Sequence, residues 1–123
     1  MTLIEAINRI DVLKPNTYSQ EEKVSWLSTL DGVIKKEIID THEGAEGVAF
    51  EGYNERTSLS TVLLVPEPYD DIYLRWLEAQ IDYANGEYPR YNNVMKAYNS
   101  AYSAFARQYN KAHMPLGAKF KFF

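Results

Sequence analysis

The side chains best suited to chemistry in this sequence are its two histidines, His42 and His113, and the carboxylates Asp40 and Glu43 that gather around the first. Asp40, His42 and Glu43 are the residue types of a metal site. A working site needs several ligands at a diagnostic spacing and a second layer of support. Three such residues at the end of a helical stretch are equally what a solvated helix end looks like, and that is the simpler account. Asp70 and Asp71 form a carboxylate pair, but neighbours on a helix point about 100° apart. They are better placed as negative charges at a helix start than as an acid–base couple. No nucleophile elbow, phosphate-binding loop or metalloprotease helix motif occurs. There is no cysteine, which excludes a disulfide framework and thiolate metal ligation. The expectation is a protein that is not an enzyme, with no catalytic, cofactor-binding or metal-binding residues and no cofactor.

A second kind of chemistry, association, has more candidates. Tyr88, Tyr91, Tyr98, Tyr102 and Tyr109 recur at spacings that place them on one broad helix face. Such a stripe is either core or, because each hydroxyl wants a partner, an interface. Phe120, Phe122 and Phe123 close the sequence, alternating with Lys119 and Lys121 at the period of a strand. Left exposed they would be an aggregation liability; they either fold back on their own domain or dock into another chain. The candidate interface residues are Phe50, Tyr53, Leu63, Val65, Tyr98, Tyr109, Phe120, Phe122 and Phe123, with residues 44–65 and 116–123 as the assembly segments.

The elements that must position these residues are mostly helical. Thr2 followed by Glu5, and Ser19 followed by Glu22, are capping-box patterns. The first opens a helix over about 3–13, with Leu3, Ile4, Ile7, Ile10 and Leu13 at helical spacing, stopped by Pro15. The second opens a helix over about 20–41 on the stripe Val24, Leu27, Leu30, Ile34 and Ile38. Gly32 inside it costs roughly 1 kcal/mol against alanine, which marks either a close approach or a tolerated imperfection. Further helices are expected over about 69–85 and 90–112. Between them, 42–68 is punctuated by Gly44, Gly47 and Gly52. The short runs 48–50 and 61–65 suggest a β-hairpin with a broad tip or a loop, at about 44–65. A lone hairpin is marginal in water and would need support. The fold class is mainly α: one four-helix bundle-like domain over 1–123, with an inserted hairpin or loop and an extended tail at 114–123.

At 123 residues, 46% apolar and 14% aromatic, the chain has material for one core. No apolar run approaches the roughly 18 residues of a membrane span, and the first residues lack the pattern of a secretory signal. Cytoplasmic folding, with no membrane partner, is expected. The net charge of −4 conceals a split. Residues 37–82 carry eleven acids against Arg56 and Arg75, whereas residues 83–123 carry six bases against Glu87. Such a chain can pack head-to-tail with its own copies, acid to base; the same charges can also be solvated faces. Arg90, Lys96, Arg107 and Lys111 form a weakly basic helix face, yet no base-reading motif is present, leaving at most non-specific contact with a DNA backbone.

The stretch Leu63-Leu64-Val65-Pro66-Glu67-Pro68-Tyr69-Asp70-Asp71-Ile72-Tyr73-Leu74, continuing through residues 81–88 to Tyr91-Asn92-Asn93, resembles small head–tail connector proteins of tailed bacteriophages and prophages, the head-completion or DNA-packaging adaptors. Residues 18–32 and 109–115 look similar too. The resemblance implies a helical bundle with an inserted loop or hairpin. It implies a ring of copies between portal and tail that helps retain packaged DNA, found in the host cytoplasm during assembly and then in the virion. Its partners would be the chain itself, the portal and tail-side proteins. The other class of function open to such a sequence is a host-encoded helical protein-interaction module.

Overall fold

A computed structural model describes residues 1–116. Four helices account for most of it: α1 Leu3–Leu13, α2 Gln20–Glu37, α3 Ile72–Ala84 and α4 Tyr88–Ala112. Two 3-10 turns, Ile39–Thr41 and Ala45–Gly47, follow α2. The helix starts follow from their caps. Thr2 Oγ1 accepts the Glu5 N–H at 3.2 Å, and Ser19 Oγ accepts that of Glu22 at 3.1 Å. Each cap satisfies a donor that the first turn leaves unpaired, worth about 1 kcal/mol. Pro89 sits in the first turn of α4, where a missing N–H costs nothing.

The core forms where the apolar stripes meet. Leu3, Ala6, Ile7 and Ile10 of α1, Val24, Leu27, Leu30 and Ile34 of α2, and Ile72, Leu77 and Ile81 of α3 are buried together. Central α3 touches the other three helices, and α4 lies along α3. Leu13 does not join the stripe; it and Val12 are 63% and 80% exposed at the end of α1.

The expected helix over 20–41 ends earlier. Its α-helical part stops at Glu37, and the chain tightens into the 3-10 turn before His42. The helix expected from 69 begins at Ile72, after Asp71 as N-cap, and α4 begins two residues earlier than expected.

The inserted β-hairpin does not form. Among the described residues there is no strand, only the isolated antiparallel bridges Thr2↔Val62 and His42↔Pro115. The run 61–65 does not pair with 48–50; its first half, with Leu59, pairs with the N-terminus. Leu3 N–H donates to Thr61 O, Leu63 N–H to Met1 O, and Ile4 N–H to Leu59 O, all at 2.9–3.0 Å. The next two donors go to side chains: Leu64 N–H to Asp31 Oδ2 at 3.1 Å and Val65 N–H to the Tyr73 hydroxyl at 2.7 Å. A backbone whose N–H groups are met this way has no use for a second strand. Residues 48–57 instead lie over α2. Tyr53 N–H donates to Ser28 Oγ at 2.9 Å, and Phe50 packs 3.7 Å from where a Cβ on Gly32 would stand. The neighbour of Gly32 is thus this loop, not another helix.

Candidate functional site

The candidate surfaces are best built outward from the polar groups buried in the core. Asp31 is fully buried on α2. Its Oδ1 accepts the Tyr73 hydroxyl at 2.6 Å, and its Oδ2 accepts the Tyr53 hydroxyl at 2.6 Å as well as the Leu64 N–H. Burial raises the Asp31 pKa from the ordinary carboxylate value, while the three hydrogen bonds pull against that rise. Burial and the Asp31 charge together push both tyrosines upward, so each stays a neutral donor. Asp31 therefore joins α2, α3 and the loop at one point.

The ordering of charge elsewhere is equally structural. Asp82, 1% exposed, lies 2.6 Å from Lys14 Nζ. The contact is charge to charge and off hydrogen-bond angle, since neither Asp82 oxygen takes a directed hydrogen bond from the described residues. Buried Lys23 reaches Asp11 at 2.6 Å.

His42 is turned into the protein. Its Nδ1 lies 2.5 Å from Ile38 O, its Nε2 meets the side-chain amide of Asn110, and its ring stands edge-on to Tyr109 at 5.0 Å. His113 stacks on the same Tyr109 ring, centroid to centroid at 3.9 Å. The two histidines, distant in sequence, are thus joined through Tyr109, as packing groups. Asp40 is taken by Lys35 and points to a different partner from His42. No group of three His, Cys, Asp or Glu among the described residues could hold a metal ion.

The candidate interface residues divide into three sets. Leu63, Val65, Tyr98 and Tyr109 are buried, each under 10% exposed, and serve the chain's own core. Phe50 and Tyr53 are half-buried, their rings edge-to-face at 5.1 Å over α2. Phe120, Phe122 and Phe123 lie outside the described residues. The segment leading to them is pinned: Glu43 N–H donates to Met114 O at 2.8 Å and Leu116 N–H to Thr41 O at 2.9 Å. Of the tyrosine stripe, Tyr98 packs on Trp76 with centroids 5.2 Å apart, and Tyr102 donates to Glu37 at 2.7 Å. Burial raises both hydroxyls, that of Tyr98 to about 12, with the Glu37 charge adding to the rise.

Sequence reasoning placed Tyr88 and Tyr91 in the stripe but missed Tyr83, which joins them in an aromatic cluster at the opposite end of α4. There Tyr83 meets Tyr88 and Tyr91 with centroids 5.5 and 5.2 Å apart, and both Tyr83 and Tyr88 are more than half exposed. Tyr83 sits beside the periodic stripe of α3, and that offset was the available signal. Val12 and Leu13 are exposed at the end of α1, whose following residue Lys14 reaches Asp82 next to Tyr83. Among the described residues, no helix is long and apolar enough to cross a membrane. Comparisons with family models, curated proteins and solved structures return no match to this chain.

Proposed function

We propose that this chain is a structural head–tail connector of a tailed bacteriophage or prophage, one copy of a ring set between portal and tail that helps retain packaged DNA. It assembles in the host cytoplasm, becomes part of the virion, and catalyses no reaction. One observation carries the reading. The buried ionisable groups Asp31, Asp82, Lys23 and His42 are all committed to partners inside the chain, while the charge split and the apolar side chains Val12, Leu13, Tyr83 and Tyr88 are left on the outside. Exposed apolar and singly charged surfaces suit contact with other chains. The stretch that resembles the connectors, 63–93, supplies α3, the turn at Asn85-Gly86 and the start of α4.

Deleting the gene from the phage or induced prophage that carries it tests this reading. The expected result is heads that have lost their DNA beside unattached tails. Intact, infectious particles would contradict the reading and leave a host-encoded interaction module in its place.

A further inference from the structure

The charge split of the sequence becomes two separate faces in the fold. Helix α4 contains no Asp or Glu at all. Lys96, Arg107 and Lys111 are exposed, lie within about 60° of one another around the helix, and span about 22 Å of its axis at about 1.5 Å per residue. Between them stand Asn99, Ser100 and Ser103, also exposed. None of the three cations has an acidic partner among the described residues.

The loop that covers α2 carries a net negative charge, three glutamates against Arg56, which stands exposed beside Glu55. Glu46, Glu51 and Glu55 are exposed along it. The loop runs antiparallel to α2, with Phe50 against Gly32 and Glu55 sharing a depression with Glu21. Gly32 and Glu21 are eleven positions apart, about 16 Å of helix, and Glu46 extends the row beyond Phe50. The acidic row and the basic stripe are therefore comparable in length.

Within one chain they converge at one end, where His42 meets Asn110 and Glu43 N–H donates to Met114 O, and they diverge from there. Helix α4 lies along α3 and reaches α2 through the Tyr102–Glu37 hydrogen bond. Glu37 and Gly32 lie about 140° apart around α2, so α4 and the loop approach α2 from different flanks. Away from that shared end, each face is left for another molecule.

We propose that the Lys96–Arg107–Lys111 stripe of one copy docks along the Glu46–Glu51–Glu55 row of a second copy. The contact pairs two different patches, so it repeats head-to-tail and closes into a ring when the rotation permits. This deepens the connector reading and rests on it for the claim that copies assemble at all.

The test mixes nitrogen-14 and nitrogen-15 protein at high concentration and low salt, with a carbodiimide that joins amines to carboxylates at contact distance. Mixed-isotope peptides linking Lys96 or Lys111 to Glu46, Glu51 or Glu55 are expected. Two charge-reversed variants follow: K96E/R107E/K111E and E46K/E51K/E55K. Each alone should associate roughly tenfold or more weakly by sedimentation, and the two mixed should recover association with each other. Recovery on mixing cannot come from a misfolded variant. Assemblies that ignore both reversals and crosslink elsewhere overturn this interface while leaving the connector reading standing. A basic-stripe variant that loses only binding to a DNA duplex, with self-association unchanged, overturns it in favour of a phosphodiester partner. Loss of particle assembly on gene deletion is independent of all these outcomes, so the two proposals fail separately.

Discussion

The Tyr73 hydroxyl donates to Asp31 Oδ1 at 2.6 Å while accepting the Val65 N–H at 2.7 Å. One oxygen thus ties α3 to α2 and to the loop. Tyr73→Phe removes a hydrogen bond to a buried charge and leaves the Val65 N–H without an acceptor. A loss of about 2–4 kcal/mol is expected. Tyr53→Phe removes a donor from the same carboxylate at a half-buried position where water can substitute, for a loss of about 1 kcal/mol. Urea denaturation of the two variants checks the order.

The glycines Gly32 and Gly52 should respond in opposite directions. A Cβ on Gly32 would meet Phe50 at 3.7 Å, an ordinary contact, so Gly32→Ala should stabilise by up to about 1 kcal/mol through helix propensity. Gly52 has φ +90°, a conformation that a side chain strains, so Gly52→Ala should cost about 1–2 kcal/mol. Thermal melts of both variants measure the signs.

Lys14 and Asp82 form a pair whose halves are unequal. Lys14→Met leaves a buried carboxylate without its counter-charge and should cost about 3–5 kcal/mol. The double variant Lys14→Met with Asp82→Asn should lose less, because no unpaired charge remains. A double-mutant cycle by chemical denaturation isolates the coupling.

Alkaline pH should unfold the protein through its tyrosines. Tyr53, Tyr73, Tyr98, Tyr102 and Tyr109 all have raised pKa values, with burial as the largest cause in each. A folded pKa above the unfolded value gives stability that is fully present below the unfolded pKa, about 10. It is lost as pH rises through the folded value, which for Tyr98 is about 12. Absorbance at 295 nm should therefore show these five ionising together with the loss of helical circular dichroism, in the window above pH 10.

What could be read from the sequence was what depends on near neighbours. The caps at Thr2 and Ser19, the stripes of α1 to α4 and the stop at Asn85-Gly86 each involve residues within a turn or two of one another, and these are found in the fold except that Leu13 falls outside the α1 stripe. The short run 61–65 signalled a strand, and the structure makes of it one isolated bridge at Val62 followed by a bend. It carried no information on the partner, which proved to be the N-terminal residues 1–4. Asp31 gave no signal because its three donors lie 22, 33 and 42 residues away. The tyrosine stripe was legible as a face; its division into buried Tyr98 and Tyr109 and exposed Tyr88 depends on where α3 ends beneath it. The charge split was visible in the sequence, while its placement on two different flanks of α2 required the path of the loop.

The central claim is that this chain acts by assembling with other chains. Electron microscopy of the purified protein mixed with the portal protein encoded near it tests that claim most directly. Closed rings of this chain seated on the portal are predicted. A protein that stays a single copy and leaves the portal bare at every concentration would contradict it.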